Sequence, residues 1–461
     1  MTPLLRRAAP LVLVAALVAG CATETVRGRA SPAGSGPVDV TVDEFPVVGA
    51  SETPIDQTAR NALADLGAFW QEAYPEHWGE PYSPLEGGYF SVDSEEIDDD
   101  LYPDTGIGCD GSPTDPEDVA GNAFYDPVCD SIAYDRTLLQ ELSDDYGRFL
   151  VPVVMAHEFG HAMQNRFGFA SRNIIDETQA DCFAGAWTRW VADGEATHLS
   201  LREPELDDVV GGFLLLRDDV GTDPGDPAAH GSFFDRVSAF YEGYESGLDT
   251  CRDAFGDDRL FTAARFDPRE VAGQGNADYD SIVEWASTTL PAFYDGVFPD
   301  VFGGQFVPPE LAGSGSSSGC AGLDHRDLGF CREDDTVFVD EDALAVPAYE
   351  EIGDFALTTA LSLPYALAVR DQAGLSVDDA AATRSAVCMT GWYEAQWFAD
   401  AFTGLVGAEI SPGDIDEAVQ FLLRYGVDDR VFPDLDASGF ELVGAFRSGF
   451  LDGAQGCDLA G

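Results

Sequence analysis

Two stretches of the chain repeat one pattern of cysteine, glycine and aromatic residues, and this constrains the fold more than any other feature. Cys182-Phe-Ala-Gly-Ala-Trp resembles Cys388-Met-Thr-Gly-Trp-Tyr, and the next cysteine, Cys251 or Cys457, follows 69 positions later in both cases. Agreement in order, spacing and composition predicts an internal duplication. A chain of 461 residues is long enough for two such modules, each with its own core.

The N-terminus has the features of an export signal. Arg6 and Arg7 precede an apolar run over residues 8–19, which is too short to span a bilayer as a mature helix. The run ends in Leu17-Val-Ala-Gly-Cys21, which resembles the lipobox of bacterial lipoprotein signal peptides. We therefore expect residues 1–21 to be a signal peptide and Cys21 to be lipid-modified, with palmitate, on the outer face of the cell membrane. An ordinary signal peptide with a coincidental cysteine is the alternative.

The charge of the chain excludes one class of partner. It has 84 Asp and Glu against 24 Lys and Arg, none of them lysine, for a net charge of −60. Such a surface repels phosphate backbones, so we expect no nucleic-acid binding. Adaptation to a saline habitat and ordinary acidity of an exported protein both remain open as explanations.

One apolar segment contains a pair of histidines at metal-binding spacing. Residues 150–168 have apolar side chains at helical spacing and include His157-Glu-Phe-Gly-His161. Histidines at i and i+4 lie on one face of a helix, so both imidazoles can bind one zinc ion. Glu158 would lie beside the open coordination position, where it can take a proton from a zinc-bound water attacking a carbonyl.

A second helical segment offers the third zinc ligand. Glu177 and Asp181 are also at i and i+4, and Glu177 follows His161 closely along the chain. Glu177 can complete a His₂Glu site, and Asp181 can accept the second ring N–H of a ligating histidine, His157 in our expectation. In a chain this acidic, the alternative is a solvated acidic pair.

These motifs together resemble the bacterial neutral zinc metallopeptidase family, and more broadly the gluzincin arrangement of thermolysin-like peptidases. The resemblance extends over about residues 110–255 and includes an upstream block at Asn122-Ala-Phe-Tyr and a downstream block at His230-Gly-Ser. It implies an α+β fold, a thermolysin-like zincin catalytic domain that is mainly helical with a small sheet. It also implies a zinc cofactor.

The resemblance suggests two further roles. His230 would donate a hydrogen bond to the tetrahedral intermediate from the side opposite Glu158, although a structural turn histidine is the alternative. Asn122 and Ala123 would begin the edge strand that pairs with an extended substrate. Core packing of Phe124 and Tyr125 explains that segment equally well.

Alignment of the two repeats predicts that the second one binds no zinc. Leu361, Ser362 and Tyr365 stand opposite His157, Glu158 and His161, while Thr383, Val387 and Asp436 stand opposite Glu177, Asp181 and His230. None of these replacements preserves the ligand set or the base. The second repeat is therefore expected to be degenerate and non-catalytic.

The remaining cysteines support an oxidising compartment. Nine cysteines less Cys21 leave eight, an even number. The equal loops favour Cys182–Cys251 and Cys388–Cys457, which leaves Cys109 with Cys129 and Cys320 with Cys331. Each set of four could pair in three ways, so this connectivity is a hypothesis, and a free Cys182 near the metal is its main competitor.

The expected organisation is a signal peptide (1–21), a flexible tether (22–52), a zinc peptidase domain (53–255, the first half), a connecting region with a Gly/Ser linker (256–320) and a degenerate repeat (321–461, the second half). The expected function is a lipid-anchored, extracytoplasmic zinc metallopeptidase acting on peptides or proteins. A non-enzymatic zinc-containing envelope protein and a hydrolase of non-peptide amides are the alternatives. The oligomeric state does not follow from the residues.

Overall fold

The computed structural model describes residues 36–459 apart from 105, 110, 312–319, 321–322, 324 and 433–436. The predicted signal peptide, Cys21, the tether up to residue 35, the Gly/Ser stretch at 313–319 and Asp436 lie outside the described residues. The described part is mostly helical and includes two small sheets. No helix in it combines the length and hydrophobicity needed to cross a bilayer.

In its described residues, the first half contains seven α-helices and a three-stranded sheet. Its helices are α1 (Pro54–Trp78), α2 (Arg136–Tyr146), α3 (Leu150–Phe167), α4 (Asn173–Ala192), α5 (Glu205–Leu216), α6 (Phe233–Ser246) and α7 (Leu248–Asp253), with short 3₁₀ helices at Asp99–Leu101 and Pro116–Val119. Its strands are β1 (Gly88–Val92), β2 (Ala123–Asp126) and β3 (Ser131–Asp135). Strand β3 lies in the middle, parallel to β1 and antiparallel to β2, so β2 is an edge strand.

The remaining described elements follow a similar order. They are α8 (Tyr279–Val301), β4 (Glu310–Leu311), β5 (Leu328–Cys331), β6 (Thr336–Val339), a π-helical segment (Glu341–Ala345), α9 (Val346–Glu351), α10 (Asp354–Gln372), α11 (Ala380–Phe398), α12 (Thr403–Val406), α13 (Asp414–Tyr425), α14 (Gly439–Asp452) and a 3₁₀ helix (Gly453–Gly456). Strand β6 is again central, parallel to β4 and antiparallel to β5. Both described sheets therefore share one topology.

Glycines allow the closest helix pair in each half to approach. A Cβ on Gly185 of α4 would lie 2.0 Å from the Phe240 carbonyl oxygen of α6, and one on Gly243 would lie 1.8 Å from that of Cys182. Gly391 and Gly449 make the same contacts between α11 and α14, with distances of 2.1 and 1.8 Å. Only glycine fits such contacts, which explains the glycines of the repeated pattern.

Disulfides reinforce these helix pairs. Cys182 is bonded to Cys251 and Cys388 to Cys457, with Cα–Cα distances of 5.6 and 5.3 Å. The shorter loops are closed by Cys109–Cys129 and Cys320–Cys331. These are the two pairs hypothesised from the equal loops and the two pairs that this hypothesis left over.

The structure differs from the expected organisation at two places. Residues 38–52 are not a free tether, because Val40 and Val47 are buried and the backbone of Val48 pairs with Tyr89 and Ser91 around β1. The expected connecting region contains the long helix α8, whose buried Leu290 and Tyr294 pack on α10. Asp278 caps the first turn of this helix.

The two halves share one hydrophobic core rather than having separate cores. Aromatic side chains of α6 and α14 form much of the contact, with Tyr241 stacked on Phe440 at 4.2 Å and Phe234 against Phe450 at 4.8 Å. We infer that the second half is needed to keep the first half folded, since its removal would expose these rings to water.

Candidate metal centre

The two histidines of α3 face Glu177 of α4. Helices α3 and α4 approach closely because Gly160 leaves room, since a Cβ at that position would lie 3.0 Å from the Ala180 Cα. His157 Nε2 is 3.1 Å from Glu177 Oε2 and 3.1 Å from His161 Nε2, and His161 Nε2 is 3.5 Å from Glu177 Oε2. The three predicted ligands therefore form one small triangle.

This triangle fits a zinc ion. Ligand atoms at the usual Zn–N and Zn–O distances in a tetrahedral site are about 3.3 Å apart. The observed separations of 3.1, 3.1 and 3.5 Å bracket that value. Two imidazoles and one carboxylate leave the fourth position of a tetrahedron to water or substrate, which is the donor set of a catalytic rather than a closed structural site.

Each histidine is oriented by a partner at its other nitrogen. His157 Nδ1 lies 2.8 Å from Asp181 Oδ1, the contact expected from the sequence. Arg236 of α6 donates to both oxygens of Asp181, at 2.8 Å each, and all three side chains are buried. Such partners fix the ring orientation and raise the basicity of the ligand.

A second set of partners, not predicted from the sequence, holds His161. His161 Nδ1 lies 2.7 Å from Gln164 Oε1, and the Gln164 amide donates to Gln179 Oε1 at 3.0 Å. Gln179 in turn donates to the carbonyl of Cys251 at 3.0 Å. Gln164 follows His161 by three positions on the same helix face, so helical spacing was an available signal for it. Gln179 and Arg236 required the tertiary structure.

Glu158 lies beside the triangle and is held by the sheet. Its Oε2 accepts the Tyr125 N–H of edge strand β2 at 2.9 Å. Burial raises the pKa of the Glu158 carboxyl, and the neighbouring His157 and His161 oppose that shift. The Glu158 carboxyl thus lies between β2 and the two histidines, within hydrogen-bond reach of the strand and close to the ligand triangle.

The triangle opens into a cleft of about 880 Å³ that contains the other predicted residues. Asn122 and Ala123 line one wall, where β2 is the edge strand of the sheet that the structure describes. His230 lines the cleft as well but is exposed, and its Nδ1 and backbone N–H contact Asp218 at 3.1 and 2.7 Å. The structure therefore brings His230 to the cleft as an Asp218-bound side chain.

The carboxylates around the two histidines change the pKa values of the metal ligands. Burial opposes charge on His157, but Asp181, Glu177 and Glu158 outweigh burial and raise the pKa of His157 to about 10. Burial would raise the pKa of Glu177, yet hydrogen bonds from His157 and His161 hold it well below its ordinary value. At neutral pH the metal-free site thus holds at least one proton on a histidine.

Zinc binding is therefore expected to release a proton. Zinc requires neutral imidazole, so metal must displace the proton from His157, and a lower pH favours the protonated form. As the pH rises from 6 to 8, we expect the apparent zinc Kd to fall about tenfold per pH unit for each proton released. Calorimetric titration in buffers of different ionisation enthalpy measures this release, and a flat affinity without proton release would contradict it.

Comparison with known proteins supports a zinc peptidase assignment for this region. Residues 112–255 match the family described as "Putative neutral zinc metallopeptidase". The matched range includes every residue of the triangle, Glu158, Asp181 and Arg236.

Two bacterial relatives carry names that state no activity. The "Uncharacterized protein Rv2575" of Mycobacterium tuberculosis is 28% identical over 177 residues, covering 32% of this chain and 59% of the relative. The "Uncharacterized protein YpfJ" of Escherichia coli is 26% identical over 154 residues, covering 29% and 54%. The chain thus spans less than two thirds of these relatives. No solved structure matches.

Proposed function

We propose that this chain is an extracytoplasmic zinc metallopeptidase in which His157, His161 and Glu177 hold the metal and Glu158 is the general base. The observation that carries the proposal is the position of Glu158, buried, bound to the Tyr125 N–H and adjacent to a three-ligand triangle that opens into a cleft. A purely structural zinc site has no use for a base beside an open position.

In the proposed reaction, zinc, Glu158 and the partners of the two histidines have separate roles. Zinc, when bound, acts as a Lewis acid that would polarise the substrate carbonyl and lower the pKa of water. Glu158 accepts the proton of the attacking water and later delivers it to the leaving amine. Asp181 and Gln164 keep the two imidazoles in orientation while Glu158 changes charge.

The walls of the cleft favour an extended peptide as substrate. The hydrogen bonds between β2 and β3 involve alternate residues, so Ala123 turns its backbone groups outward. Its N–H donates to Asn122 Oδ1 at 2.9 Å, and its carbonyl oxygen is the group proposed to pair with a substrate strand. Asn122 lies at the start of this edge. His230 on the opposite wall, held by Asp218, is the candidate donor to the tetrahedral intermediate.

The second half is proposed to be a degenerate copy of the peptidase module that binds no zinc. Its sheet topology, its paired glycines and its 69-residue disulfide loop parallel those of the first half. On α10, Leu361, Ser362 and Tyr365 are buried, and Ser362 Oγ donates to Thr390 instead of facing a cleft. These side chains supply neither a ligand set nor a base.

The cellular location is also part of the proposal. The lipobox-like sequence at Cys21 supports attachment to the outer face of the cell membrane. Disulfides between buried cysteines are consistent with an oxidising compartment. Peptides or proteins outside the cytoplasm are then the substrates within reach.

The direct test is zinc content together with cleavage of casein by the full chain, before and after chelation. We expect one zinc per chain, cleavage that stops on chelation and cleavage that returns when zinc is restored. Bound zinc without cleavage of casein or of a mixed peptide library would favour a zinc-containing binding protein. Cleavage of small non-peptide amides alone would favour the amide hydrolase.

A further inference from the structure

Three carboxylates meet where helices α10 and α13 begin, and none of them lines the cleft around His157. Asp354 is the first residue of α10, and Asp414 and Glu417 lie in the first turn of α13. One oxygen from each carboxylate lies within 4.8 Å of those of the other two. Asp354 is 3% exposed and Asp414 4% exposed, so the cluster is largely removed from water.

The backbone positions these carboxylates but does not satisfy them. Asp354 Oδ2 accepts the Ala277 N–H at 2.7 Å, Asp414 Oδ2 accepts that of Ser411 at 2.8 Å, and Glu417 Oε2 accepts that of Phe355 at 2.8 Å. Asp354 Oδ1 is buried without any hydrogen-bond partner. A buried carboxylate oxygen without a donor is costly unless a cation binds it.

The negative charge of the cluster is not balanced by an ion pair among the described residues. Within the described part of the chain, no ion pair involves Asp354, Asp414 or Glu417. By contrast, the adjacent Asp416 on α13 pairs with Arg217 at 2.8 Å. Three carboxylates brought together without an arginine repel one another, so either protons or a bound cation must compensate them.

We propose that Asp354, Asp414 and Glu417 form a calcium site. The donors are oxygen atoms only, with no histidine or cysteine among them, which disfavours zinc and favours a hard cation. Calcium accepts six to eight oxygens in flexible geometry. A cavity of about 380 Å³ adjoins Asp354 and Asp414 and has room for waters and for the carboxylate of Glu270 on its wall.

A glycine before the first residue of α10 makes room for the Glu417 carboxylate. Gly353, directly before Asp354, has a φ of 153°, and a Cβ on it would lie 2.1 Å from Glu417 Oε1. Only glycine therefore allows the Glu417 carboxylate to lie against the start of α10.

Calcium here would connect to the proposed active site through α13. Asp416, between the two calcium ligands of that helix, accepts the N–H groups of Phe233 and Phe234 at the start of α6 and pairs with Arg217, which lines the cleft. A cation that joins α13 to α10 would therefore stabilise one wall of the cleft. The calcium site itself does not depend on the proposed peptidase activity.

The test is calcium titration of the full, zinc-loaded chain at pH 7.5. We expect one saturable site with a Kd of about 10⁻⁴–10⁻³ M, as in extracellular calcium modules. Calcium should raise Tm by several degrees, whereas magnesium at equal ionic strength should not. D354N and E417Q should each lose this Tm response, and because each removes one repelling charge, both should fold without calcium. Asp300→Asn, at an exposed carboxylate, should keep the response.

Three outcomes would overturn the proposal. One is the absence of a saturable calcium site on the parent chain, a result that needs no variant. Another is an equal Tm response in D354N and in Asp300→Asn, which would assign the effect to the acidic surface as a whole. The third is stabilisation by acidification to pH 5.5 with no response to calcium, which would assign the compensation to shared protons.

Discussion

Replacement of Glu158 by glutamine is expected to lower kcat by about 10³-fold while one zinc per chain remains bound. Glutamine has the size of glutamate and its Oε1 can still accept the Tyr125 N–H, which now holds the carboxylate at 2.9 Å. The ligand triangle is untouched because Glu158 is not part of it. What disappears is the ability to take a proton from water, so the loss falls on kcat rather than on zinc affinity.

Zinc content and initial rates of casein cleavage, measured on the same preparations, check this result. Glu195→Gln is the matched control, since Glu195 is exposed on the turn after α4 and should retain full activity and one zinc. A Glu158→Gln variant that keeps more than a tenth of the activity would remove Glu158 from the role of base. Two zinc ions per chain in any variant would contradict the account of the second half.

Local spacing is enough to predict the core of the candidate site. His157, His161 and Glu158 share one turn of one helix, and Glu177 and Asp181 share another, so helical periodicity alone indicates which side chains point the same way. The structure adds that α3 and α4 pack face to face through Gly160 and Ala180, which brings the two sets within 3.5 Å. No pattern in either helix alone determines that contact.

Helical spacing cannot predict residues whose role depends on contacts with distant segments of the chain. Arg236 contacts Asp181 across 55 positions, and the calcium ligands come from positions 354, 414 and 417. Their carboxylates look like ordinary surface charges in a chain with 84 acidic residues. Burial distinguishes them, and burial is a property of the packed core.

The boundaries of the modules are harder to predict for a physical reason. Residues 38–52 are rich in turn formers, yet Val40 and Val47 are buried, the Val40 N–H donates to Asn61 of α1, and the backbone of Val48 pairs with β1. A few buried side chains and backbone contacts suffice to hold an otherwise polar segment. Helix α8 escapes prediction because its apolar face is interrupted by Pro291 and Pro299, although both prolines lie within the helix.

Removal of either long disulfide is expected to lower stability, whereas removal of only one of them is expected to weaken zinc binding. Cys182–Cys251 and Cys388–Cys457 each close a loop of 69 residues. Loop-closure entropy assigns each about 4 kcal/mol of stabilisation, so C182A/C251A and C388A/C457A should lower the free energy of unfolding by similar amounts. Denaturant unfolding of the metal-free chains measures both changes, so that a difference in zinc affinity does not enter the comparison.

Zinc affinity should respond to only one of the pairs. Three hydrogen bonds connect Cys251 to a metal ligand, because its carbonyl accepts from Gln179, Gln179 accepts from Gln164, and Gln164 contacts His161. A displacement of the Cys251 backbone would therefore disturb the orientation of His161. We expect C182A/C251A to weaken zinc binding by about 10-fold or more, within the range seen when outer partners of metal ligands are lost. C388A/C457A should leave zinc affinity unchanged, because no described hydrogen bond leads from Cys457 to the triangle. Equal zinc affinities in the two folded variants would show that the anchoring of Gln179 by Cys251 does not matter for the metal.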